Sequence, residues 1–253
     1  MATFIERVRT ARPTRGTFLN LGSPLVAEVC ALSGFDWLLV DLEHGAGGED
    51  ALVGQILAGA AHGVPVVARV ESSERIRVGH VLDLGALGVM FPRLDTPEEV
   101  EDAIGHLWYP PRGDRGVAGY NRARSFGADP RSSSEVNDSI LGIVQIESAT
   151  ALEHVEAIAA IEGVDVLFVG PSDLSTSLGV PGRLESAEFQ AALERVAAAA
   201  RGAAKAAGIL AGDPATAAWY HDHGYSFVAV ASDSALLRSA AMRAANPETK
   251  EHE

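Results

Sequence analysis

Two carboxylates follow consecutive apolar runs of the chain and are the first candidates for chemistry. Glu147 ends the run ILGIVQIES, and Asp173 comes just after the next run, VDVLFVG. If these runs are neighbouring strands, the carboxylates repel each other unless a proton or a cation sits between them. Oxygen ligands with few imidazoles suit Mg²⁺ or Mn²⁺. The alternatives are a salt bridge to arginine for Glu147 and a helix N-cap for Asp173.

His44 and Arg69 end two earlier apolar runs. In DLEHG, Asp41 and Glu43 could orient or charge the His44 imidazole and make it a general base, and a plain surface histidine is the alternative. Arg69 closes VPVVARV, where its guanidinium must meet an anion. That anion is either a protein carboxylate or a substrate.

Two further features suit the binding of a small acid. Gln145 shares a face with Glu147, because side chains alternate along a strand. Ser172 and Asp173 follow Gly170-Pro171, and adjacent backbone N–H groups at such a turn can bind an anion such as a carboxylate.

Alternating strand and helix patterns must position these residues. The predicted strands cover residues 16–22, 35–44, 64–70, 88–94, 140–148, 164–170, 208–213 and 225–233, and a long alanine-rich helix is predicted over 186–207. Eight such units predict a single-domain α/β protein, a (β/α)₈ TIM barrel over residues 1–253. The rival doubly wound sheet usually carries G-x-G-x-x-G in its first turn, where this chain has NLGSP.

In a barrel, polar residues at the strand ends surround the active site. In this chain they are Asp41, Glu43, His44, Arg69, Glu71, Arg93, Asp95, Gln145, Glu147, Ser148, Ser172, Asp173, Asp213, Ser232 and Asp233. One connection, 109–138, is far longer than the others, and such loops are usually functional or mobile.

Charge and composition exclude several classes of partner. Asp and Glu number 34 against 20 Lys and Arg, and a net charge of -14 argues against nucleic acid and anionic membranes as partners. No apolar run reaches the roughly 18 residues of a membrane span. Cys30 is the single cysteine, so no internal disulfide forms and a cytoplasmic location is predicted.

The two lysines do not suit Schiff-base chemistry, which needs a desolvated lysine inside the site. Lys205 falls in the alanine-rich helical pattern and Lys250 in the polar tail. Neither lysine is therefore a good candidate for such chemistry.

Five segments, taken together, resemble one family. They are GFDWLLVDLEHG, YPPRGDRGV, VQIES, GVDVLFVGPSDLSTSLG and FVAVASDSALL, and the resemblance runs from about Phe4 to Asn246. The chain resembles the HpcH/HpaI aldolases, class II pyruvate aldolases such as those acting on 4-hydroxy-2-oxoheptanedioate or 2-dehydro-3-deoxyglucarate. The resemblance implies a (β/α)₈ barrel and an aldehyde-lyase. Its reaction is reversible cleavage of a 4-hydroxy-2-oxo acid to pyruvate or hydroxypyruvate and an aldehyde, through a metal-bound enolate.

The same resemblance implies a role for each candidate. Glu147 and Asp173 would bind Mg²⁺, Mn²⁺ or Co²⁺. His44 would be the acid and base, with Asp41 as its orienting carboxylate. Arg69 would bind the keto oxygen and stabilise the enolate.

Substrate contacts are implied as well. The expected substrate-binding residues are Gln145, Gly170, Ser172, Asp173, Leu210 and Phe18. The backbone of Ser172 and Asp173 would hold the pyruvate carboxylate. Phe18 stands where some relatives have tryptophan, and Leu210, beside the mouth on the seventh strand, could limit the donor or the acceptor.

The resemblance also implies a homohexamer, built as a trimer of dimers. The apolar terminal helix SALLRSAAMRAAN and the loop 109–138 could exchange contacts between subunits, and Asp83 or Arg122 could reach a neighbouring site. The other expected partners are a small-molecule 2-oxo acid and an aldehyde, with no nucleic acid and no membrane.

Two alternatives remain open. The first is an acyl-CoA lyase of the citrate lyase β-subunit type, which the acidity of the chain and the lack of a basic track for a nucleotide disfavour. The second is a barrel without catalytic activity, against which the retained set of His44, Arg69, Glu147 and Asp173 argues.

Overall fold

A computed structural model describes residues 3–246 of the chain. Within that range, parallel strands close into a barrel in which each strand pairs with the next in chain order and the last pairs with the first. The strands are β1 (Thr14–Leu19), β2 (Trp37–Asp41), β3 (Val66–Arg69), β4 (Gly88–Phe91), β5 (Leu141–Ile146), β6 (Val164–Val169), β7 (Ala206–Ala211) and β8 (Phe227–Ser232). The (β/α)₈ barrel predicted from the sequence is therefore confirmed.

Helices surround the barrel. They are α1 (Phe4–Arg9), α2 (Pro24–Leu32), α3 (Glu49–Ala61), α4 (Arg75–Asp83), α5 (Pro97–Gly105), α6 (Ser133–Asn137), α7 (Ala149–Glu153), α8 (Val155–Ala160), α9 (Pro171–Ser177), α10 (Ala187–Gly202), α11 (Pro214–Asp222) and α12 (Asp233–Ala245). Between residues 3 and 246, none of the helices is long and apolar enough to cross a membrane.

Aromatic packing fills the end of the barrel where the strands begin. Trp37 stacks on Phe227 with 4.0 Å between ring centroids. Gly16 makes room for the indole, since a Cβ at this position would lie 2.1 Å from it. Helix α1 covers this end, because Phe4 and Val8 pack against the same cluster. The site must therefore lie at the other end, where the strands finish.

The alanine-rich segment was predicted with the wrong boundaries. Helix α10 ends at Gly202 rather than 207, and β7 begins at Ala206 rather than 208. In the run AAAARGAAKAAG, only Arg201 and Lys205 differ from alanine and glycine, which is too little contrast for periodicity to separate helix from strand. The break occurs at Ala204, whose φ of 55° is left-handed and incompatible with a continuing helix.

Other predictions also differ from the structure at their edges. Strand β1 begins at Thr14, two residues before the predicted start, because Thr14 is buried and pairs with Phe227. Helix α1 was not predicted. The connection 109–138 is not structureless, since it contains α6 and a 3₁₀ segment, Arg122–Gly127.

Candidate active site

Two adjacent cavities open at the end of the barrel where the strands finish. The Arg69 cavity, about 400 Å³, is lined by Phe18, Asp41, Arg69, Gln145, Gly170, Ser172 and Leu210, among others. The Arg93 cavity, about 360 Å³, is lined by Glu43, Arg93, Asp95, Glu147, Ser148, Thr176 and Ser177. His44 and Asp173 line both. Every residue for which a catalytic, metal-binding or substrate-binding role was predicted therefore lines one cavity or both, and each cavity has the size of a small-molecule site. Three of the polar strand-end residues, Glu71, Asp213 and Asp233, line neither cavity.

Arg69 is fixed by its neighbour on β2. Asp41 and Arg69 are register partners across β2 and β3. Arg69 donates from Nε to Asp41 Oδ1 at 3.0 Å and from Nη2 to Oδ2 at 2.8 Å. The guanidinium lies 5.2 Å from the centre of the Phe18 ring, within cation–π range. Its Nη1 donates a long hydrogen bond of 3.5 Å to Gln145 Oε1, and both residues line the Arg69 cavity.

Asp41 stays ionised because of this partner. Burial would raise the pKa of the Asp41 carboxyl, but hydrogen bonds from Arg69 and its positive charge outweigh burial and lower the pKa. The same carboxylate accepts from the backbone N–H groups of Glu43 and His44, each at 3.1 Å. Asp41 therefore fixes both Arg69 and the start of the loop that carries His44.

The His44 ring has a different neighbour from the one implied by the resemblance. Its Nε2 lies 3.7 Å from Glu43 Oε2, and the side chain is 70% exposed. Asp41 contacts His44 through the backbone, because the Asp41 oxygens are directed across the sheet to Arg69. Glu43 Oε2 also lies 3.3 Å from Arg69 Nε, so this carboxylate lies between the His44 imidazole and the Arg69 guanidinium.

Glu147 is a buried carboxylate with both oxygens engaged. Oε1 accepts from the backbone N–H of Arg93 at 2.8 Å, and Oε2 accepts from Gln145 Nε2 at 2.7 Å. Burial raises the pKa of the Glu147 carboxyl; the Arg93 bond opposes this, and the charges of Asp173 and Glu43 add to it. Within residues 3–246, Glu147 forms no ion pair with arginine, so the salt-bridge alternative is wrong.

Asp173 lies in the first turn of α9 and is not its N-cap. Gly170 is the N-cap and Pro171 the first helical residue, which sets the start of the helix. The N-cap alternative for Asp173 is therefore wrong. The N–H groups of Ser172 and Asp173 lie where a helix offers no intrahelical acceptor, so they can bind an anion in the Arg69 cavity.

Gly170, which follows β6, leaves space for the Glu147 side chain at the end of β5. A Cβ at this position would lie 2.9 Å from Glu147 Oε2 and 3.3 Å from Gln145 Nε2. Both distances are shorter than ordinary contacts with carbon. Only glycine leaves the Glu147–Gln145 pair undisturbed here.

The donor set fits a hard divalent ion. Between residues 3 and 246, no group of three or more His, Cys, Asp or Glu side chains is arranged to hold a metal. Mg²⁺, however, is usually held by one or two carboxylates and completes its shell with water and substrate oxygens. Glu147 and Asp173 supply two such carboxylates at the cavity wall. Burial is the main cause of the raised pKa of Glu147, and a cation would relieve the repulsion from Asp173 that adds to it.

Some lining residues were given no role in the sequence interpretation. Arg93 was noted only as a polar strand end. Its φ of 57° is left-handed, which costs a non-glycine residue about 1 kcal/mol or more. Thr176 and Ser177 were missed entirely, because nothing in the sequence marks the side of α9 that faces a cavity.

The lysine that the structure describes lies away from both cavities. Lys205 immediately precedes β7, at the opposite end of the barrel, and lines a separate cavity with Arg9 and Arg112. It follows α10 rather than lying within it, which corrects the helical assignment. Lys250 falls outside the described residues.

The two residues expected to reach a neighbouring site have contacts within their own chain. Asp83 accepts a 2.6 Å hydrogen bond from Arg115, whose side chain is only 1% exposed. The guanidinium of Arg122 lies against Gly85.

Known proteins are similar to this chain over nearly its whole length. The family model described as HpcH/HpaI aldolase/citrate lyase matches residues 15–240. The hydroxypyruvate/pyruvate aldolase of Paraburkholderia phytofirmans is 43% identical, over 92% of this chain and 94% of its own. The 5-keto-4-deoxy-D-glucarate aldolase of Klebsiella pneumoniae is 40% identical, over 91% of this chain and 90% of its own. A crystal structure of an HpcH/HpaI aldolase/citrate lyase family protein from Burkholderia cenocepacia matches with a TM-score of 0.92 at 39% identity, covering 97% of this chain and 98% of the other.

Proposed function

The chain belongs to the HpcH/HpaI aldolase/citrate lyase family, and from this premise we propose how the mouth of its barrel cleaves a 4-hydroxy-2-oxo acid. It is a carbon–carbon lyase of the class II pyruvate aldolase type. One observation carries the residue assignment: Glu147, Asp173, His44 and Arg69 line two cavities that share a wall. Because relatives are named hydroxypyruvate/pyruvate aldolases, the products we propose are pyruvate or hydroxypyruvate and an aldehyde.

Glu147 and Asp173 would hold the divalent ion on which the class depends, with Mg²⁺, Mn²⁺ or Co²⁺ as candidates. When bound, such an ion supplies Lewis-acid polarisation of the keto oxygen. Gln145 and the Arg93 backbone each donate to one Glu147 oxygen and so fix its orientation.

The 2-oxo acid would bind in the Arg69 cavity. The backbone N–H groups of Ser172 and Asp173, next to Gly170, can donate hydrogen bonds to its carboxylate. Asp41 holds Nε and Nη2 of Arg69, so Nη1, next to Gln145 in this cavity, is placed to bind the keto oxygen. Phe18 and Leu210 supply apolar walls that would limit the size of the group at C3.

His44 would act as the general base in cleavage. The ring is exposed and lines both cavities, so it can reach a C4 hydroxyl between them. It removes the hydroxyl proton, the C3–C4 bond breaks and the aldehyde leaves. Arg69 stabilises the negative charge that develops on the oxygen of the enolate, and protonation of the enolate carbon gives the 2-oxo acid.

A substrate screen tests the proposal. Purified protein is given a panel of 4-hydroxy-2-oxo acids, with Mg²⁺, Mn²⁺ or Co²⁺ or with EDTA, and pyruvate and aldehyde release are measured. We expect cleavage with metal and none with EDTA. Cleavage of acyl-CoA thioesters alone would favour the acyl-CoA lyase alternative, and no reaction with any substrate or with oxaloacetate would favour the non-catalytic one.

Borohydride separates metal from lysine chemistry. Treatment with borohydride and pyruvate is expected to leave the enzyme active and unlabelled, because Lys205 lies at the opposite end of the barrel. A pyruvate adduct on Lys205 in the mass spectrum would contradict the class II assignment.

We also propose a homohexamer with contacts through α12. Leu25, Val29 and Leu32 on α2 are exposed, as is Leu237 on α12, and the two helices line one apolar cavity. Exposed apolar area of this kind marks a protein interface. Light scattering at micromolar concentration should give a mass six times that of the chain, and a monomer would contradict the proposal.

A further inference from the structure

His44 is held in position mainly through its backbone. The side chain is 70% exposed, and its ion-pair partner, Glu43, lies at 3.7 Å, so side-chain contacts fix the ring only weakly. The His44 N–H donates to the Asp41 carboxylate. Two residues later, the Ala46 N–H donates to the carbonyl oxygen of Asn20 at 2.8 Å. The loop that carries His44, residues 42–48, is therefore bonded to the loop that follows β1.

These two loops also pack directly against each other. They meet at two glycines, where a Cβ on Gly22 would lie 2.7 Å from the Gly47 Cα and a Cβ on Gly47 would lie 2.8 Å from the Gly22 Cα. Backbone packed this closely leaves neither loop room to shift without moving the other. The position of His44 therefore depends on what holds the loop after β1.

Asp233, the first residue of α12, holds that loop. Its side chain is buried, with 3% of the residue exposed. Oδ1 accepts from the Asn20 N–H at 2.9 Å, and Oδ2 accepts from the Leu21 N–H at 3.2 Å. Asp233 lines neither the Arg69 cavity nor the Arg93 cavity. Any effect that it has on the reaction must therefore pass through the two loops.

We propose that Asp233 is a positioning residue for His44, which it keeps within reach of the C4 hydroxyl through the two loops. The proposed metal ligands do not depend on this link, because they lie at the end of β5 and in α9. Loss of Asp233 should therefore impair the steps that use His44 and spare those that use the metal. This inference rests on the proposed role of His44 as general base.

The test compares two reactions in D233N. An amide group can accept at only one of its two positions, so in D233N at least one of the Asn20 and Leu21 N–H groups loses its acceptor. Cleavage is measured with Mn²⁺ on the 4-hydroxy-2-oxo acid that the wild type cleaves fastest. Its kcat should fall at least about tenfold, since a displacement of about 1 Å is costly to catalysis. The KM of this acid should change little, and oxaloacetate decarboxylation should fall much less than cleavage.

The matched control is D165N. Asp165 is also a buried carboxylate that accepts from a backbone N–H, that of Gly142 at 3.0 Å, and it is paired with Arg9. It lies at the end of the barrel where the strands begin. D165N should be less stable than the wild type in urea, but the ratio of the cleavage rate to the decarboxylation rate should not change. A variant that is merely destabilised would behave in the same way.

Hydrogen exchange followed by mass spectrometry tests the link without reference to activity. Peptides from residues 42–48 should exchange faster in D233N than in the wild type, because the bond from Ala46 to Asn20 is loosened. In D165N the exchange of this segment should equal that of the wild type. Equal exchange in D233N and the wild type would overturn the inference.

G47A tests the same link with Asp233 intact, and it serves as the test if D233N does not fold. The new Cβ would lie 2.8 Å from both the Gly22 Cα and the Ala51 Cβ, so the loops must move apart. The same selective loss of cleavage is expected. The matched control is G48A, because a Cβ on Gly48 meets nothing within 4 Å.

The outcomes separate this inference from the proposed function. Where H44A loses cleavage selectively, an equal loss of both reactions in D233N or G47A overturns the inference and leaves the aldolase function standing. An equal loss of both reactions in H44A overturns the proposed role of His44, and the inference with it. A wild type that cleaves no 4-hydroxy-2-oxo acid of the panel overturns the proposed function itself.

Discussion

The Asp41 carboxylate on β2 accepts two hydrogen bonds from the Arg69 guanidinium on β3, at 3.0 Å from Nε and 2.8 Å from Nη2. The guanidinium is thus fixed before any substrate arrives, and only Nη1 faces Gln145 across the cavity. Such preorganisation lets Arg69 meet developing charge without first reorganising.

This pair should make stability depend on pH. The pKa of Asp41 is lower in the folded protein than in the unfolded chain. The ionised carboxylate therefore stabilises the fold fully at pH values above its pKa in the unfolded chain. This stabilisation is lost as the pH falls through its pKa in the folded protein. Asp41→Asn should destabilise the metal-free protein at pH 7 by about 1–3 kcal/mol, and the difference should narrow below about pH 4. Urea unfolding of both proteins in EDTA at several pH values measures this. Asp222→Asn, at an exposed carboxylate, is the control. A difference independent of pH would contradict the pairing.

Removing either proposed metal ligand should abolish metal binding without unfolding the barrel. Glu147→Gln and Asp173→Asn should show no Mn²⁺ binding by calorimetry. The melting temperature of both variants in EDTA should stay close to that of the wild type at neutral pH. In Glu147→Gln, the amide nitrogen cannot accept one of the two hydrogen bonds that Glu147 accepts, but the change also removes a charge that burial makes unfavourable. Glu101→Gln, an exposed carboxylate on α5, controls for loss of charge and should bind Mn²⁺ normally. Unchanged Mn²⁺ affinity in both site variants would place the metal elsewhere.

Adding one methyl group at Gly170 should weaken the same site. The new Cβ would lie 2.9 Å from Glu147 Oε2, so Gly170→Ala must displace the carboxylate or the strand. We expect Mn²⁺ affinity to fall at least about tenfold, as is typical when groups that orient metal ligands are disturbed. Gly202→Ala is the matched control, because a Cβ there meets nothing within 4 Å. Equal Mn²⁺ affinities in Gly170→Ala and Gly202→Ala would contradict this prediction, because Glu147 would then accommodate the new Cβ without any loss of metal binding.

Loss of His44 should separate two reactions of one site. His44→Ala should slow aldol cleavage about 10²- to 10⁴-fold, the usual contribution of a general base. Oxaloacetate decarboxylation should fall less, because no C4 hydroxyl is deprotonated in it. His62→Ala, at a histidine paired with Glu28 on the outer surface, is the control. Equal losses in both reactions would show that His44 binds substrate or supports the site.

The sequence predicted the barrel and the residues of its mouth. In a barrel of parallel strands, the residues at the C-terminal ends of all strands lie at the same end of the barrel. Glu147 and Asp173 could be brought together in this way, as could His44 and Arg69. The ends of the helix and the strand in the alanine-rich segment could not be predicted. Most residues there are alanine, so there is no alternation of polar and apolar side chains that would distinguish a helix from a strand.

The hydrogen-bond partners of the site residues could not be predicted from the sequence either. The resemblance implies that Asp41 orients His44. The Asp41 carboxylate instead pairs with the Arg69 side chain, through the register between β2 and β3, and contacts only the backbone of His44. Register depends on how the whole sheet closes, which no local pattern encodes. The left-handed backbone of Arg93 likewise follows from its amide bond to Glu147, 54 residues away.

Helix α1 closes the barrel at the end where the strands begin, with Phe4 and Val8 against the aromatic cluster of Trp37 and Phe227. Both products of cleavage must therefore leave through the same opening. Gln145, in the Arg69 cavity, is buried, whereas Arg93 in its neighbour is exposed. Release should then be ordered, with the aldehyde first and the 2-oxo acid last. Steady-state kinetics should show pyruvate as a competitive inhibitor of cleavage and the aldehyde as a noncompetitive one, and the reverse pattern would imply the opposite order.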